Sequence, residues 1–301
     1  MKQSYALGSR SFVSSILPRF GVVILVTALT GIQSAIAELP ALNKKPWMGH
    51  FAVFKNRNYE ITISNQGEMR LSPHTKDGEI FGAYLAFPIS IGIEEVLPDG
   101  KIHWLSILPE SLESADPATD KLEKAVIRGK VTGGATFETT IEEVRGIISI
   151  GGRITDPGTA TKNPLRFHVV TTIPYFYGGV EKDTPEKLKE FEATIKSDYV
   201  ETKTIDGKRH KESFITPVNA GSPEITGPGI AAAEIEIALF QTRQLLLSAS
   251  ENSSMKFANA NQGPTATGTR ERALYEGIII TWTADPAKDP QGRARLAIQV
   301  K

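Results

Sequence analysis

The clearest structural signal in this 301-residue chain is residues 124–154, which read KAVIRGKVTGGATFETTIEEVRGIISIGGRI. Apolar and polar residues alternate through the segment, and two turn signals, Gly133-Gly134 and Arg145-Gly146, interrupt it. A period of two is typical of a strand with one buried face, and glycine-rich pairs are typical of hairpin turns. The segment therefore predicts a three-stranded antiparallel meander with one apolar side.

The apolar faces also predict the register of the first hairpin. A two-residue turn at Gly133-Gly134 places Lys130 beside Phe137 and mixes polar with apolar side chains. A three-residue loop, residues 133–135, keeps each face uniform, so we expect the longer loop. The pairs that this register predicts are Val131 with Phe137, Ile127 with Ile141, and Lys130 with Glu138.

The same alternation recurs along most of the chain after residue 38. The runs that show it include Tyr59–Ile63, Ile89–Ile93, Leu165–Val169 and Ile235–Leu239. Short strands separated by Gly, Pro, Asn and Asp turns favour antiparallel sheets, because parallel crossovers need a helix between strands. We expect a mainly β fold, an antiparallel β-sandwich with a supersandwich as the open alternative. It would carry one short helix at about Pro185–Lys196.

The first 37 residues have the pattern of a secretory signal peptide. They contain three basic residues and no acidic ones, then the apolar run FGVVILVTAL at 20–29, then Ser34-Ala35-Ile36-Ala37. We expect cleavage after Ala37, with a retained membrane anchor as the alternative. The expected organisation is a signal peptide at 1–37 and one β-sandwich domain at 38–301, with a helical and charged insertion at about 180–228. The expected location is the bacterial periplasm or the medium, with no stable membrane span after cleavage.

Composition excludes several classes of protein. The chain has 34 basic and 34 acidic residues and no cysteine, and removal of the leader leaves 31 basic against 34 acidic. This balance disfavours nucleic acid as a partner, and the lack of cysteine excludes disulfides and thiolate metal sites. The chain lacks a P-loop, a Gly-x-Ser-x-Gly elbow and a His-Glu-x-x-His motif. Its five histidines are scattered, so we predict no metal and no cofactor.

Aromatic residues supply the main candidates for ligand binding. Tyr175 and Tyr177 lie in the run Ile173–Gly179 at a predicted strand end, and Trp104 lies elsewhere. Flat aromatic rings can stack on sugar rings, although alternate rings in such a run can also fill the core. Arg166 and His168 share one strand face, opposite the face of the Leu165–Val169 run, so they either line a pocket or form ordinary surface.

Adjacent carboxylates are a weaker signal for acid–base chemistry. Glu94-Glu95 and Glu142-Glu143 are such pairs. Neighbours on a strand point to opposite faces, so the members of a pair cannot cooperate directly.

Residues 147–176 resemble the galactose mutarotase-like β-supersandwich proteins. Ile147–Ile154, the turn Thr155–Gly158, then Asn163-Pro164-Leu165 and Ile173-Pro174-Tyr175-Phe176 are similar to that family's strand, turn, strand and His-Pro-Tyr-Phe ending. The histidine of that ending is a general acid in the family, and here its position holds Ile173. Glu276 is the candidate for the family's glutamate base by rough position. The resemblance therefore implies the fold and a sugar-binding cleft, and argues against epimerase chemistry.

These observations predict an exported cell-envelope protein that binds carbohydrate without catalysis. Its predicted ligand-binding residues are Tyr175, Tyr177, Trp104 and Arg166. One alternative is a carbohydrate-active enzyme whose acid and base are His168 and Glu276. Another is an envelope scaffold or assembly protein that uses its sheet faces or edges for protein contacts. The oligomeric state stays open.

Overall fold

The computed structural model describes residues 38–74, 86–159, 162–175, 199–213, 231–239, 243–259 and 276–301. The alternating apolar runs form strands there, and within these ranges the only helical turn is the 3₁₀ turn Pro109–Ser111. The strands are β1 (His50–Lys55), β2 (Tyr59–Ser64), β3 (Met69–Pro73), β4 (Phe87–Val96), β5 (Ile102–Leu105), β6 (Lys124–Lys130), β7 (Thr136–Val144), β8 (Ile147–Asp156), β9 (Leu165–Tyr175), β10 (Tyr199–Thr204), β11 (Arg209–Ser213), β12 (Ala232–Leu239), β13 (Arg243–Ala249), β14 (Ser253–Asn259), β15 (Glu276–Ala284) and β16 (Leu296–Val300).

The strands form one continuous antiparallel sheet. The order along it is β1-β2-β3-β4-β9-β15-β14-β12-β13-β16-β8-β7-β6, with β5 paired to β4 and the hairpin β10–β11 paired to β12. The strand β9 lies between β4 and β15 and is paired along most of its length on both sides. The strand β9 is therefore an interior strand, far from both edges of the sheet.

The sheet folds back on itself, so that strands far apart in its order share one core. Phe167 of β9 packs against Phe137 of β7, with ring centroids 6.2 Å apart, and against Trp282 of β15 at 6.4 Å. Gly152 of β8 permits this approach, because an added Cβ there would lie 2.4 Å from Cζ of Phe167. Burial of each such large apolar side chain contributes about 1.5–3 kcal/mol. The prediction of a mainly β, antiparallel fold is confirmed.

The meander of β6, β7 and β8 is present, but the predicted register of its first hairpin is wrong. The structure pairs Gly129 with Phe137 and Ile127 with Thr139, a shift of two residues that keeps the same apolar face. The loop has three residues, 132–134, because the Val131 N–H donates to the Ala135 carbonyl at 2.9 Å. The physical reason is packing, since a Cβ at Gly129 would lie 2.9 Å from Cζ of Phe137. Only glycine leaves room for that ring.

The charged segment after residue 199 forms the hairpin β10–β11, with its turn at residues 205–208 and Gly207 at a φ of 85°. The predicted helix Pro185–Lys196 and the predicted leader at 1–37 lie outside the described residues. Within the described ranges, all residues belong to one compact unit. No described helix combines the length and the apolar character needed to cross a bilayer.

Candidate functional site

One face of the β4–β9 pair carries a cluster of polar side chains. The odd-numbered residues of these strands, such as Ile93 and Phe167, are buried in the core. Directly opposed residues of antiparallel strands present their side chains on the same face of the sheet. The even-numbered pairs on the other face are Gly92 with His168 and Glu94 with Arg166.

His168 lies directly over Gly92. A Cβ added to Gly92 would lie 2.9 Å from Nε2 and 3.3 Å from Cε1 of the imidazole. Glycine inside a strand often marks such a close approach. The imidazole is therefore held against the backbone of β4, and only 4% of His168 is exposed.

Trp104 covers His168 from the solvent side. The short strand β5 pairs Trp104 with Glu94, and the indole lies diagonally over the imidazole with centroids 5.4 Å apart at 40°. Trp104 nevertheless remains 49% exposed. Large exposed aromatic rings are informative because burial is their usual state. The cluster thus presents a flat aromatic surface to solvent above a buried imidazole.

A charged pair flanks the imidazole. Arg166 Nη2 lies 2.7 Å from Glu94 Oε1, and the Glu94 carboxylate is almost fully buried. The second oxygen of Glu94, Oε2, lies 4.0 Å from Nδ1 of His168, which is beyond hydrogen-bond distance. Both His168 Nδ1 and Arg166 Nε are buried without a hydrogen-bond partner. Each unpartnered buried polar atom lowers the stability of the folded state by about 1–3 kcal/mol. Such atoms are rare in folded proteins, and an unfilled hydrogen-bonding capacity of this kind is available to a ligand.

Burial controls the protonation of the cluster. It lowers the pKa of the His168 imidazole to about 4, so the ring is neutral at pH 7. Burial also raises the pKa of the Glu94 carboxyl, against the opposing charges of Arg166 and Lys256. A neutral imidazole carries both a hydrogen-bond donor and an acceptor. The cluster therefore combines neutral and charged hydrogen-bonding groups beneath an aromatic surface.

A cleft opens beside this cluster where β4 lacks a strand neighbour. On one side of β4, β3 pairs as far as Ile89 and β5 begins at Ile93. The gap between these partners is about 13 Å at ~3.3 Å per residue. The cleft has a volume of about 470 Å³, and Trp104 and His168 lie among its lining residues. Its volume falls in the range of small-molecule sites, about 300–1,000 Å³.

A second cleft, of about 720 Å³, lies on the β15 side of β9. Arg166 and Thr283 contribute to its lining, with the turn at Ser250–Ser254 and Ile205 from the β10–β11 hairpin. Thr283 pairs directly with His168 across β15 and β9. The two clefts therefore lie against neighbouring side chains of the same strand pair.

Three of the residues predicted from sequence meet in this cluster. Trp104 and Arg166, predicted to bind ligand, and His168, predicted as an acid or base, lie on one face around Glu94. Arg166 and His168 lie opposite the core residues of β9, as the alternation predicts. His168 is buried and is among the residues that line the first cleft, and Arg166 is among those that line the second.

Glu276 and Tyr175 lie far from this cluster. They pair with each other at the end of β9 and the start of β15, seven residues along β9 from His168. That separation is about 23 Å at ~3.3 Å per residue. The structure therefore does not bring His168 and Glu276 together as the acid and base of one sugar site, and it does not bring Tyr175 beside Trp104. Tyr177 lies outside the described residues.

Glu94 and Gly92 belong to the cluster but are not among the site residues predicted from the sequence. The strand argument correctly places Glu94 and Glu95 on opposite faces, because Glu95 contacts His103 at 3.1 Å and Asn163 at 2.7 Å away from the cluster. The signal that identifies Glu94 is its pairing with Arg166, which requires the register of β4 against β9. A glycine between isoleucines in residues 91–93 was the available hint of a close approach.

Within the described part of the chain, no group of three or more His, Cys, Asp or Glu side chains has the arrangement of a metal site. The cluster itself offers one imidazole and one carboxylate, and that carboxylate already pairs with Arg166. Its groups can donate and accept hydrogen bonds, and it carries one half-exposed aromatic ring.

Comparison with known proteins finds no matching family model and no matching curated protein. A solved structure described as "Crystal Structure Analysis of HI1317" is similar to this chain with a TM-score of 0.32 and 9% sequence identity. The match covers 83% of this chain and 98% of that chain. A similarity at this level identifies neither a fold nor a function.

Proposed function

We propose that this chain is an exported protein that binds carbohydrate at the cluster of Trp104, His168, Arg166 and Glu94. The observation that carries the proposal is the half-exposed Trp104 ring, which packs at a tilt against a buried histidine in the lining of a cleft. Sugars combine apolar C–H faces with dense hydroxyl groups. An aromatic surface beside fixed donors and acceptors is complementary to both features.

The polar groups of the cluster suit a hydroxyl-rich ligand. Glu94 accepts hydrogen bonds, Arg166 donates them, and neutral His168 can do either. Because the Glu94 carboxylate is buried and pairs with Arg166 at 2.7 Å, these groups should lose little freedom when a ligand binds. The resemblance of residues 147–176 to galactose mutarotase-like proteins supports the same class of ligand. Ile173, at the position of that family's acid, is buried in the core, which favours binding over that chemistry.

The experiment that tests this proposal is a glycan array followed by calorimetry on purified residues 38–301. We expect binding to at least one glycan and a loss of at least tenfold in affinity for Trp104→Ala. The matched control is Trp47→Ala, because Trp47 is also a partly exposed tryptophan beside a histidine, with ring centroids 6.0 Å from His50. Absence of binding to every glycan, or equal losses in both variants, would overturn the proposal.

Export is proposed from the leader at 1–37 and is tested separately. We expect protein recovered from the periplasm or the medium of a bacterial host to begin at Glu38. Sequencing of the N-terminus measures this directly. A protein that begins at Met1 and sediments with membranes would favour the anchor.

A second candidate function is acid–base chemistry on the bound sugar. The observation that favours it is the buried, unpartnered Nδ1 of His168, 4.0 Å from Glu94 Oε2. Hydrogen bonds between catalytic groups are often long without substrate and shorten when it binds. His168 would accept a proton from a sugar hydroxyl, and Glu94 would stabilise the imidazolium that results.

This candidate is tested by incubating the protein with the glycans that the array identifies. Nuclear magnetic resonance then follows anomeric ratios and released products. Activity that His168→Gln abolishes, while binding persists, would favour the enzyme. Binding without any change in the sugar would leave the non-catalytic function.

A further inference from the structure

The two clefts share a wall made of neighbouring side chains. His168 lines the first cleft, and its direct partner across the β9–β15 pair, Thr283, lines the second. Directly opposed side chains lie about 5 Å apart at Cβ. Arg166 belongs to the second cleft and is bound through Glu94 to the same cluster. The polar face therefore continues from one cleft into the other without an intervening strand.

The floor of the second cleft extends this face with hydroxyl groups. Thr283 pairs with Ser254 of β14, so His168, Thr283 and Ser254 form a row across three strands. The hydroxyls of Ser254 and Thr283 make no hydrogen bond within the described part of the chain. Neighbouring strands are about 4.8 Å apart, so the row from Gly92 of β4 to Ser254 spans about 14 Å. The row supplies free donors and acceptors well beyond the imidazole.

Each cleft also has an exposed apolar side chain in its lining. Among the described residues, five large hydrophobic side chains are exposed to solvent, namely Met48, Ile102, Trp104, Val144 and Ile205. Trp104 lines the first cleft, and Ile205, which is 65% exposed, lines the second. Ile205 lies in the turn of the β10–β11 hairpin, where its exposed side chain is available to contact the apolar face of a sugar ring. Each cleft thus has both an exposed apolar side chain and a polar side chain of the β9–β15 pair in its lining.

We propose that the two clefts are adjoining subsites of one groove that binds an oligosaccharide chain, with Trp104 and Ile205 contacting different sugar units. The inference rests on the carbohydrate binding proposed above and specifies its ligand class. The groove runs across the strands from β5 to β14. Volumes of about 470 and 720 Å³ give each subsite room for a small ligand of its own.

The proposal is tested by the dependence of affinity on chain length. The probes are glucose with cello- and malto-oligosaccharides, and N-acetylglucosamine with chito-oligosaccharides, each from one to six units, measured by calorimetry. We expect the preferred hexasaccharide to bind at least tenfold more tightly than its monosaccharide. Tethering two weak contacts in one ligand produces this gain without any new type of contact.

Two matched substitutions assign the gain to the second cleft. Ile205→Ser should remove most of the gain in affinity that the hexasaccharide shows over the monosaccharide. Val144→Ser is the control, because Val144 is 56% exposed and lies in neither cleft. Both positions are exposed, so neither change should unfold the protein.

The outcomes separate this inference from the proposed function. Monosaccharide and hexasaccharide binding of equal strength would overturn the groove while leaving carbohydrate binding intact. An unchanged chain-length dependence in Ile205→Ser would overturn the assignment of the second subsite. Absence of binding to all probes and to the array would overturn both proposals together.

Discussion

The buried imidazole of His168 predicts a specific pH dependence of stability. The perturbation is a change from pH 7 to pH 5, applied to the wild type and to His168→Gln. In the folded state burial lowers the pKa of His168 to about 4, whereas an exposed histidine has a value of about 6.5. Between these values the unfolded chain binds a proton at this position and the native protein does not. The contribution of His168 to the free energy of unfolding is therefore present above pH 6.5 and is lost as the pH falls towards 4.

The magnitude follows from the two pKa values. At pH 5 the linkage relation gives a loss of about 2 kcal/mol from His168 alone, and below pH 4 the loss approaches about 3 kcal/mol. Glu94 acts in the opposite direction, because burial raises its pKa and the native state takes up that proton more readily than the unfolded state. The wild type alone therefore reports a mixture of both groups. The difference between the wild type and His168→Gln isolates the histidine.

The assay is equilibrium unfolding in urea, followed by circular dichroism at both pH values. With an m-value of about 2 kcal/mol/M, the wild-type midpoint should fall by about 1 M more than that of His168→Gln. Gln keeps the size and polarity of the side chain but does not titrate. Equal losses in the two proteins would show that His168 is solvated or charged in the native state. That result would contradict the neutral imidazole on which the acid–base candidate depends.

Further predictions concern packing and hydrogen bonds. Gly92→Ala should lower the free energy of unfolding by about 1–3 kcal/mol, because the added methyl group would lie 2.9 Å from the imidazole of His168. His168→Ala in the same chain should relieve that cost, and additive effects in the urea double-mutant cycle would contradict the contact. Asp289→Ala should lower the free energy of unfolding by about 1–3 kcal/mol, because its carboxylate accepts hydrogen bonds from two backbone N–H groups at 2.8 and 2.6 Å. Asp285→Ala, at a more exposed turn, should lower it by less than about 1 kcal/mol. Tyr59→Phe should cost about 1 kcal/mol through loss of its 2.9 Å hydrogen bond to a turn carbonyl, and an unchanged thermal midpoint would argue against that bond.

Most of the sheet is predictable from the sequence because its strands alternate strongly. The runs at 89–93 and 165–169 contain large apolar residues on one side and polar or small residues on the other. Alternation determines which residues share a face. It does not determine which strand lies beside which, and the neighbouring positions of β4, β9 and β15 come only from the structure.

The first hairpin shows the limit of local pattern matching. Two registers differing by two residues give the same faces, so the apolar pattern cannot distinguish them. The structure selects the register in which Phe137 lies across Gly129. Leu112 completes the packing, since a Cβ at that glycine would also lie 2.8 Å from its Cδ2. This side chain comes from outside the hairpin, so its influence cannot be read from the hairpin sequence.

The candidate site divides in the same way. The shared face of Arg166 and His168 is predictable, because both residues lie on one strand two positions apart. The contribution of Glu94 depends on pairing between β4 and β9, which are distant in sequence. Tyr175 lies on the same strand as His168, but at the opposite end of β9. Two residues that are close in sequence can therefore lie too far apart along a strand to share one site.

The site divides its work between interior and peripheral strands. Its floor lies on β4, β9 and β15 in the sheet interior, whereas its apolar contacts come from the four-residue strand β5 and from the turn of the β10–β11 hairpin. In the carbohydrate site that we propose, the ligand preference should therefore be changeable without rebuilding the scaffold. If the proposal is correct, a combinatorial library randomised at residues 102–104 and 205–208 should yield variants with altered ligand preference that retain the parental melting temperature.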